Sequence, residues 1–547
     1  MDQADGMNAP KTAVIGWDGA TFDVIDPLMQ AGALPNLKRL MSKGAWGQLA
    51  STLHPISPTA WASFMTGMNP GKHGVFDFVG PDEDGRFRVV SGGAVRAETL
   101  WARLSRAGRR VAVVNVPMTY PPESVNGFLV SGMDAPRRTQ AFTHPPELAK
   151  ELHDRFGGYQ VGVRARAVAL TAVDSFTPRY VRRLCDLTRL HGEVACDLLE
   201  RHSPDFLAVV FIATDRVQHA LGHLMSDGIT PDDGIGQVYR ACDRALGCIL
   251  EKLDDDWTVL LMSDHGACAY QRVFELSTWL AMQGWLRLHP VRKYDALAEY
   301  LSPVQRRLSR LLNRSARPKP DKARFLDRIM WEETKAFAVG AFGSIYVNTC
   351  DRFPNGIVEP GREYRAVRDQ IAEELLSIRD PQTGDPVVHA VHRASDVYQG
   401  AYARLAPDLL VETTNSYFVR NNLEQHEDRL TYAAGRYRGR SLAHTGRHTP
   451  NGILIAAGPP FSRGESRTGA HIVDVAPTVL YLSGLPVPTD MDGQPLLDWM
   501  ELDYRRTHSI AWATPQAPGE VQRDASAYGP EEAAAVEAHL RDLGYIG

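Results

Sequence analysis

The sequence predicts an α/β protein with a mostly parallel central sheet, helices on both faces and a helical insertion. Five short runs carry this prediction: Thr12–Trp17 (TAVIGW), Val111–Val116 (VAVVNV), Phe206–Ala213 (FLAVVFIA), Trp257–Met262 (WTVLLM) and Gly452–Ala457 (GILIAA). Each is continuously apolar and β-branched, as strands buried on both faces are. Helical patterns follow them, which favours parallel pairing through crossovers. Chemistry-bearing residues stand where these runs end: Asp18, Asp215, the pair Asp264-His265, and His448 just before the last run. Open α/β sheets bind ligands beyond the carboxyl ends of their strands.

The bulk composition narrows the function classes. The chain has 547 residues, is 44% apolar and 23% charged, and carries a formal net charge of −5. Such a balance argues against general attraction to a nucleic acid polymer or to anionic lipid. An anionic substrate therefore needs a local positive centre, which bound cations supply. The start, MDQADGMNAPKTAVIGWDGA, lacks a basic segment followed by a long apolar one, so no secretory signal is expected. No run approaches the roughly 18–20 apolar residues of a membrane span. The six cysteines (185, 196, 242, 248, 268 and 350) form neither CxxC pairs nor a zinc-ribbon spacing. The expectation is a cytoplasmic protein with reduced thiols.

Residues 1–500 read as one catalytic unit, interrupted by an insertion or cap at about 275–345. Within it, 291–328 is rich in Arg and Lys. That stretch reads as helical with a flexible ARPKPDKAR segment, and its charge as a solvated face. Residues 501–547 form a tail that closes with an amphipathic helix near Pro530–Leu543.

The segment Ser57-Pro58-Thr59-Ala60-Trp61-Ala62-Ser63-Phe64-Met65-Thr66-Gly67 predicts a helix. Ser57 suits the N-cap, Pro58 the first turn and Gly67 the stop. A helix N-terminus also offers N–H groups and positive dipole to a phosphate, and a serine there becomes a nucleophile when a metal activates it. The metal ligands are sought in four segments: Gly16-Trp17-Asp18-Gly19, Asp215-Arg216-Val217-Gln218-His219, Ser263-Asp264-His265-Gly266 and Gly446-Arg447-His448-Thr449. Asp215 and His219 are four apart and share one helix face. Any one segment has a structural explanation. Together they place three Asp and three His at the edge of one sheet, a mixed N/O set that suits zinc, with manganese as the alternative. Two such cations clamp both oxygens of an in-line phosphoryl displacement.

With these segments in view, the sequence resembles the type I phosphodiesterase/nucleotide pyrophosphatase branch of the alkaline phosphatase superfamily. The resemblance rests on GWDGA at 16–20, SPTAWASFMTGMNPGKHGVFDF at 57–78, VNVPMTYPP at 114–122, DRVQH at 215–219, SDHG at 263–266, TGRHTPNGILIAAGPP at 445–460 and DVAPTVLYLSGLPVP at 474–488. It implies an alkaline phosphatase-like core and a metal-dependent hydrolase of small-molecule phosphate esters, most simply diesters. It implies Ser57 as nucleophile, with Asp215, His219 and His448 on one divalent metal. Asp18, Asp264 and His265 would hold the other, together with the Ser57 oxygen. Ser57 would attack phosphorus, and a hydroxide would then cleave the phosphoseryl intermediate.

Thr59 is the rival nucleophile and His223 a decoy one helical turn beyond His219. Ala60 departs from the family pattern, which has an Asn that binds a phosphoryl oxygen at that place. Lys72, Asn115, Thr119 and Arg447 are the candidates to replace it. A sulfatase is disfavoured, because Thr59 and Trp61 stand where its motif has Pro and Arg. A phosphomonoesterase or phosphomutase of the same superfamily is the alternative, and a scaffold that has lost its chemistry a more distant one.

Overall fold

The computed structural model describes residues 10–136, 139, 141–163, 173–289, 325–421, 430–433, 445–515 and 528–542. Seven strands build the main sheet: β1 (Lys11–Trp17), β2 (Gly44–Ala50), β3 (Val111–Val116), β4 (Gly127–Ser131), β5 (Phe206–Phe211), β6 (Trp257–Met262) and β7 (Asn451–Ala457). Their spatial order is β2-β7-β6-β1-β5-β3-β4, extended at the edges by the short strands Glu465–Ser466, Ala470–His471 and Thr143–His144. The pairs of β1 with β5 and β6, and of β3 with β4 and β5, are parallel, whereas β7 runs antiparallel to β2 and β6.

Both faces of the sheet are covered. Along β1, Ala13, Ile15 and Trp17 enter one apolar cluster, and Val14 enters the other. This is the alternation of a strand buried on both sides. All five expected strands form at these positions. β2 and β4 were not foreseen, because GAWGQLA and GFLVS lack a continuous β-branched run. The glycines of β2 answer its neighbours: a Cβ on Gly47 would lie 2.0 Å from the Arg467 carbonyl oxygen.

A third apolar cluster, from Phe274 to Val419, belongs to a separate unit. It contains a four-stranded antiparallel sheet (Ala336–Ala338, Ser344–Val347, Leu409–Thr413, Val388–Arg393) packed on the helix Arg362–Leu376. The basic stretch expected to be helical falls mostly at 290–324, outside the described residues. The described part of this unit is a sheet with one long helix, and it runs well past residue 345. The tail helix forms at Pro530–Asp542 and buries Val536 and Leu540 in the main core. Among the described residues no helix is long and apolar enough to cross a membrane.

Register fixes the site. Trp17 pairs with Phe211, and Gly16 with Met262. The carboxyl ends of β1, β5 and β6 are therefore level. Because β7 is antiparallel, with Leu454 opposite Met262, its start lies at that same end. The core is close-packed, so Ile15→Ala, at a fully buried position, is expected to cost roughly 2–5 kcal/mol, read as a lowered denaturant midpoint with an unchanged slope.

Candidate metal centre and nucleophile

All seven residues predicted from the sequence meet at the level strand ends. Asp18 follows β1, and its amide donates to the Phe211 carbonyl at 3.0 Å. Asp215 and His219 lie one turn apart on the helix Ala213–Leu221, directly after β5. Asp264 and His265 follow β6. A short antiparallel pair, Gly266–Ala269 with Gly446–Thr449, then sets Ala267 opposite His448 and so brings His448 beside His265.

Two clusters result: Asp215, His219 and His448, and Asp18, Asp264 and His265. In the first, Oδ1 of Asp215 lies 3.1 Å from Nε2 of both His219 and His448. In the second, Nε2 of His265 lies 3.2 Å from Oδ2 of Asp264 and 3.9 Å from Oδ1 of Asp18. The clusters touch through the stacked rings of His265 and His448, 3.6 Å between centroids. Ser57 Oγ stands 3.3 Å from His265 Nε2.

The donor set fits divalent cations on three counts. First, Oδ1 of Asp18 and Oδ2 of Asp264 are buried without a hydrogen-bond partner, although buried carboxylates need one. Second, each histidine directs Nδ1 at a backbone carbonyl: Gly446 for His219 (3.1 Å), Gly266 for His265 (3.0 Å) and Pro55 for His448 (2.7 Å). A carbonyl only accepts, so Nδ1 carries the hydrogen and Nε2 presents its lone pair, the arrangement of metal-ligating histidines. Third, Nε2 of His219 and Nε2 of His448 are 2.8 Å apart, a contact that needs positive charge between the lone pairs.

The electrostatics agree. Burial raises Asp18 well above its ordinary value, reinforced by the charges of Asp264 and Asp215. Burial likewise lifts Asp264 to about 7. Burial works to raise Asp215 too, but His219 and His448 outweigh it and hold that carboxyl well below the usual range. Burial lowers His265 and His448 to about 4, so both rings are neutral near pH 7 and able to ligate.

Supporting residues that sequence reasoning did not single out complete the centre. Trp61 Nε1 donates to Asp18 Oδ2 (3.2 Å), Thr214 Oγ1 to the Asp18 carbonyl (2.5 Å), and the Gly19 amide to Asp264 Oδ1 (3.1 Å). Gln218 donates to the Gly19 carbonyl (2.8 Å) and accepts from the Tyr239 hydroxyl (3.0 Å). Ser263 ties the β1 and β7 segments by donating to the Ala20 carbonyl (2.8 Å) and accepting from Ile453 N (2.9 Å). Trp61 and Gln218 lie inside the quoted motifs, but their partners, Asp18, Gly19 and Tyr239, are distant in sequence, so the sequence carried no local signal for them.

Ser57 is the first residue of the helix Ser57–Thr66, with Ile56 at the N-cap and no side-chain cap bond. The expected capping role is thus corrected: the hydroxyl is turned to His265 instead. Gly67 ends the helix at φ 69°, as expected. Thr59 is two residues along, about 200° around the helix, and its buried hydroxyl has no partner. His223 is exposed and contacts Thr445 Oγ1 at 3.2 Å, outside both clusters.

The proposed replacements for the missing Asn are engaged elsewhere. Lys72 donates to the Asp490 carbonyl and to Asp492 (2.8 and 2.7 Å). Arg447 donates to the carbonyls of Thr414 and Tyr417 (3.0 and 2.6 Å). Thr119 donates to the Val116 carbonyl (2.6 Å), and the Asn115 amide to the Val210 carbonyl (2.8 Å). Ala60 is packed in the apolar core.

Metal binding must displace the proton that Asp264 holds up to about pH 7. Affinity for Zn²⁺ is therefore expected to fall steadily as pH drops from 8 to 5, measured by competition with a chelating dye. If each cluster holds one ion, His448→Ala is expected to lose one of the two by elemental analysis, since His448 belongs to one cluster only.

Comparison with known proteins agrees with this geometry. The family model described as type I phosphodiesterase / nucleotide pyrophosphatase matches residues 12–448. A 2,3-bisphosphoglycerate-independent phosphoglycerate mutase from Rhodopirellula baltica is 43% identical over 60 residues, 11% of this chain and only 10% of the mutase's length. The fold is similar to that of phosphonoacetate hydrolase from Sinorhizobium meliloti 1021 in complex with phosphonoformate, at TM-score 0.55 and 16% identity over 87% of this chain and 95% of that one. It is also similar to an inactive murine ectonucleotide pyrophosphatase / phosphodiesterase 5 in complex with AMP, at TM-score 0.50 and 13% identity over 90% of this chain and 100% of that one. The chain belongs to the type I phosphodiesterase / nucleotide pyrophosphatase family of phosphate-ester hydrolases, on an alkaline phosphatase-like fold.

Proposed function

We propose that this protein hydrolyses small-molecule phosphate diesters through a covalent phosphoenzyme intermediate on Ser57 that still carries the second alcohol, at a site for two divalent cations, zinc by preference and manganese as the alternative. The observation that carries this reading is the position of Ser57 Oγ, 3.3 Å from His265 Nε2, beside the unpartnered carboxylate oxygens of Asp18 and Asp264. Asp18, Asp264 and His265 would hold one cation with the Ser57 oxygen, and Asp215, His219 and His448 the other. When bound, such cations lower the hydroxyl's pKa and neutralise phosphoryl charge.

The chain's own residues do the rest. Ser57 Oγ, its proton released to solvent, attacks phosphorus; its bond to phosphorus forms as the bond to the first alcohol breaks, that alcohol takes up a proton from solvent, and the second ester bond stays intact. Water then displaces Ser57 and releases the monoester. The N–H groups of Ser57 and Thr59 open the helix without intrahelical acceptors and face a developing phosphoryl charge with the positive helix end. Pro58 supplies no N–H. The apolar side chain of Ala60 withholds the polar contact that the family pattern has there, which favours a phosphoryl group held mainly by cations and backbone. The six cysteines are unpaired, which supports a reducing, cytoplasmic location.

A monoesterase or mutase is the second reading, favoured by the local likeness to a phosphoglycerate mutase. Hydrolysis of bis(p-nitrophenyl) phosphate against p-nitrophenyl phosphate, with zinc- or manganese-loaded protein, separates the two. The diester is expected to be preferred. Ser57→Ala is expected to lower its turnover by at least about 10³-fold. A monoester preference would move the function to the second reading, and an active Ser57→Ala would remove the nucleophile.

A further inference from the structure

The segment after the Ser57 helix, GKHGVFDF, carries near its end a buried carboxylate, Asp77, with no part in the proposed chemistry. Asp77 is 1% exposed. Its Oδ1 accepts from Phe78 N (2.6 Å) and its Oδ2 from Ala341 N (2.9 Å). Ala341 belongs to a tight loop of the insertion unit, 340–344, with Gly340 at φ 97° and Gly343 at φ 62°. The loop fits closely over the carboxylate: a Cβ on Gly340 would lie 2.1 Å from Asp77 Oδ2. At its other end Ser344 Oγ lies 3.3 Å from Nδ1 of buried His54, whose Nε2 reaches the Val411 carbonyl at 3.3 Å. One loop is thus held by two residues, His54 and Asp77, that flank the Ser57 helix in sequence.

The loop carries Phe342, whose ring packs on the metal-ligating His448 at 5.0 Å and on Phe418 at 5.9 Å. Asn421 also steadies it by donating to the Gly340 carbonyl at 2.8 Å. We propose that Asp77 is a positioning residue of the active site, holding the 340–344 loop so that Phe342 seats the His448 ring and couples the insertion unit to the metal centre. The inference rests on the proposed hydrolase reading. A carboxylate is the right group for the task, because it accepts two backbone N–H groups at once. An amide would turn an N–H toward one of those donors, leaving it buried and unpaired.

The test uses the full chain with Asp77→Asn, Gly340→Ala, Phe342→Ala and the Asp77→Asn/Phe342→Ala double variant. Each is assayed for kcat and KM on bis(p-nitrophenyl) phosphate, for metal content, and for amide hydrogen exchange of the 339–345 peptide. Asp77→Asn and Gly340→Ala are expected to lower kcat by about tenfold or more with KM little changed, since misplacement remote from the chemistry costs this much. Both are expected to keep two ions per chain and to lose protection in that peptide. The double variant is expected to be no slower than Phe342→Ala alone, because both changes act through one ring. Unchanged protection of the loop in Asp77→Asn would overturn the inference, as would additive losses in the double variant. A folded, metal-loaded wild type that cleaves no ester would contradict the hydrolase reading instead, while the exchange data would still judge whether Asp77 holds the loop.

Discussion

Three carboxylates buried within one site are the constraint on which the rest of this structure depends. Asp18, Asp215 and Asp264 are each at most 3% exposed and raise one another's proton affinity or lean on imidazoles. Burying like charges together is strongly unfavourable unless cations or protons compensate. Imidazoles with ordered tautomers at the same place suit cations as the compensation. The chain supports this arrangement with many fixed partners: backbone carbonyls for every Nδ1, an indole for Asp18, and an amide for Asp264. None of these can shift without disturbing a core that lies directly beneath.

Strand register converts that local demand into a fold requirement. A slip of one residue between β1 and β5 would move Asp18 from the Phe211 carbonyl and turn alternate side chains to the wrong face. The antiparallel β7 is the device that returns His448 to the same edge from a distant part of the chain. The insertion unit then closes on the site through Arg447, which bonds to Thr414 and Tyr417, and through the loop that carries Phe342.

Much of this was legible in the sequence, for physical reasons that also mark the limits. β1, β3, β5, β6 and β7 are buried on both faces, so their residues are apolar without interruption and their ends are conspicuous. β2 lies toward the sheet edge and is partly exposed, and its glycines make room for the Arg467 backbone and for β7, which erases the pattern. In the insertion unit, strands of three to six residues such as Ala336–Ala338 and the half-exposed Val388–Arg393 are too short or too wet for periodicity to show. Ser57 has the chemistry of a cap. Only the tertiary position of His265 reveals that its hydroxyl faces the site. Arg447 and Lys72 read as phosphate-binding cations because a sequence does not show the carbonyls and the carboxylate that engage them.

The most direct measurement of the account is acid quench of the zinc-loaded protein during turnover of a diester, followed by phosphopeptide mapping. A phosphoryl ester that still carries the second alcohol, assigned to Ser57 by fragmentation of the peptide containing it and absent after chelation of the metals, is the predicted result. Turnover with the phosphoryl group on Thr59, or with none on the chain in a reaction whose second step is slow, would contradict it.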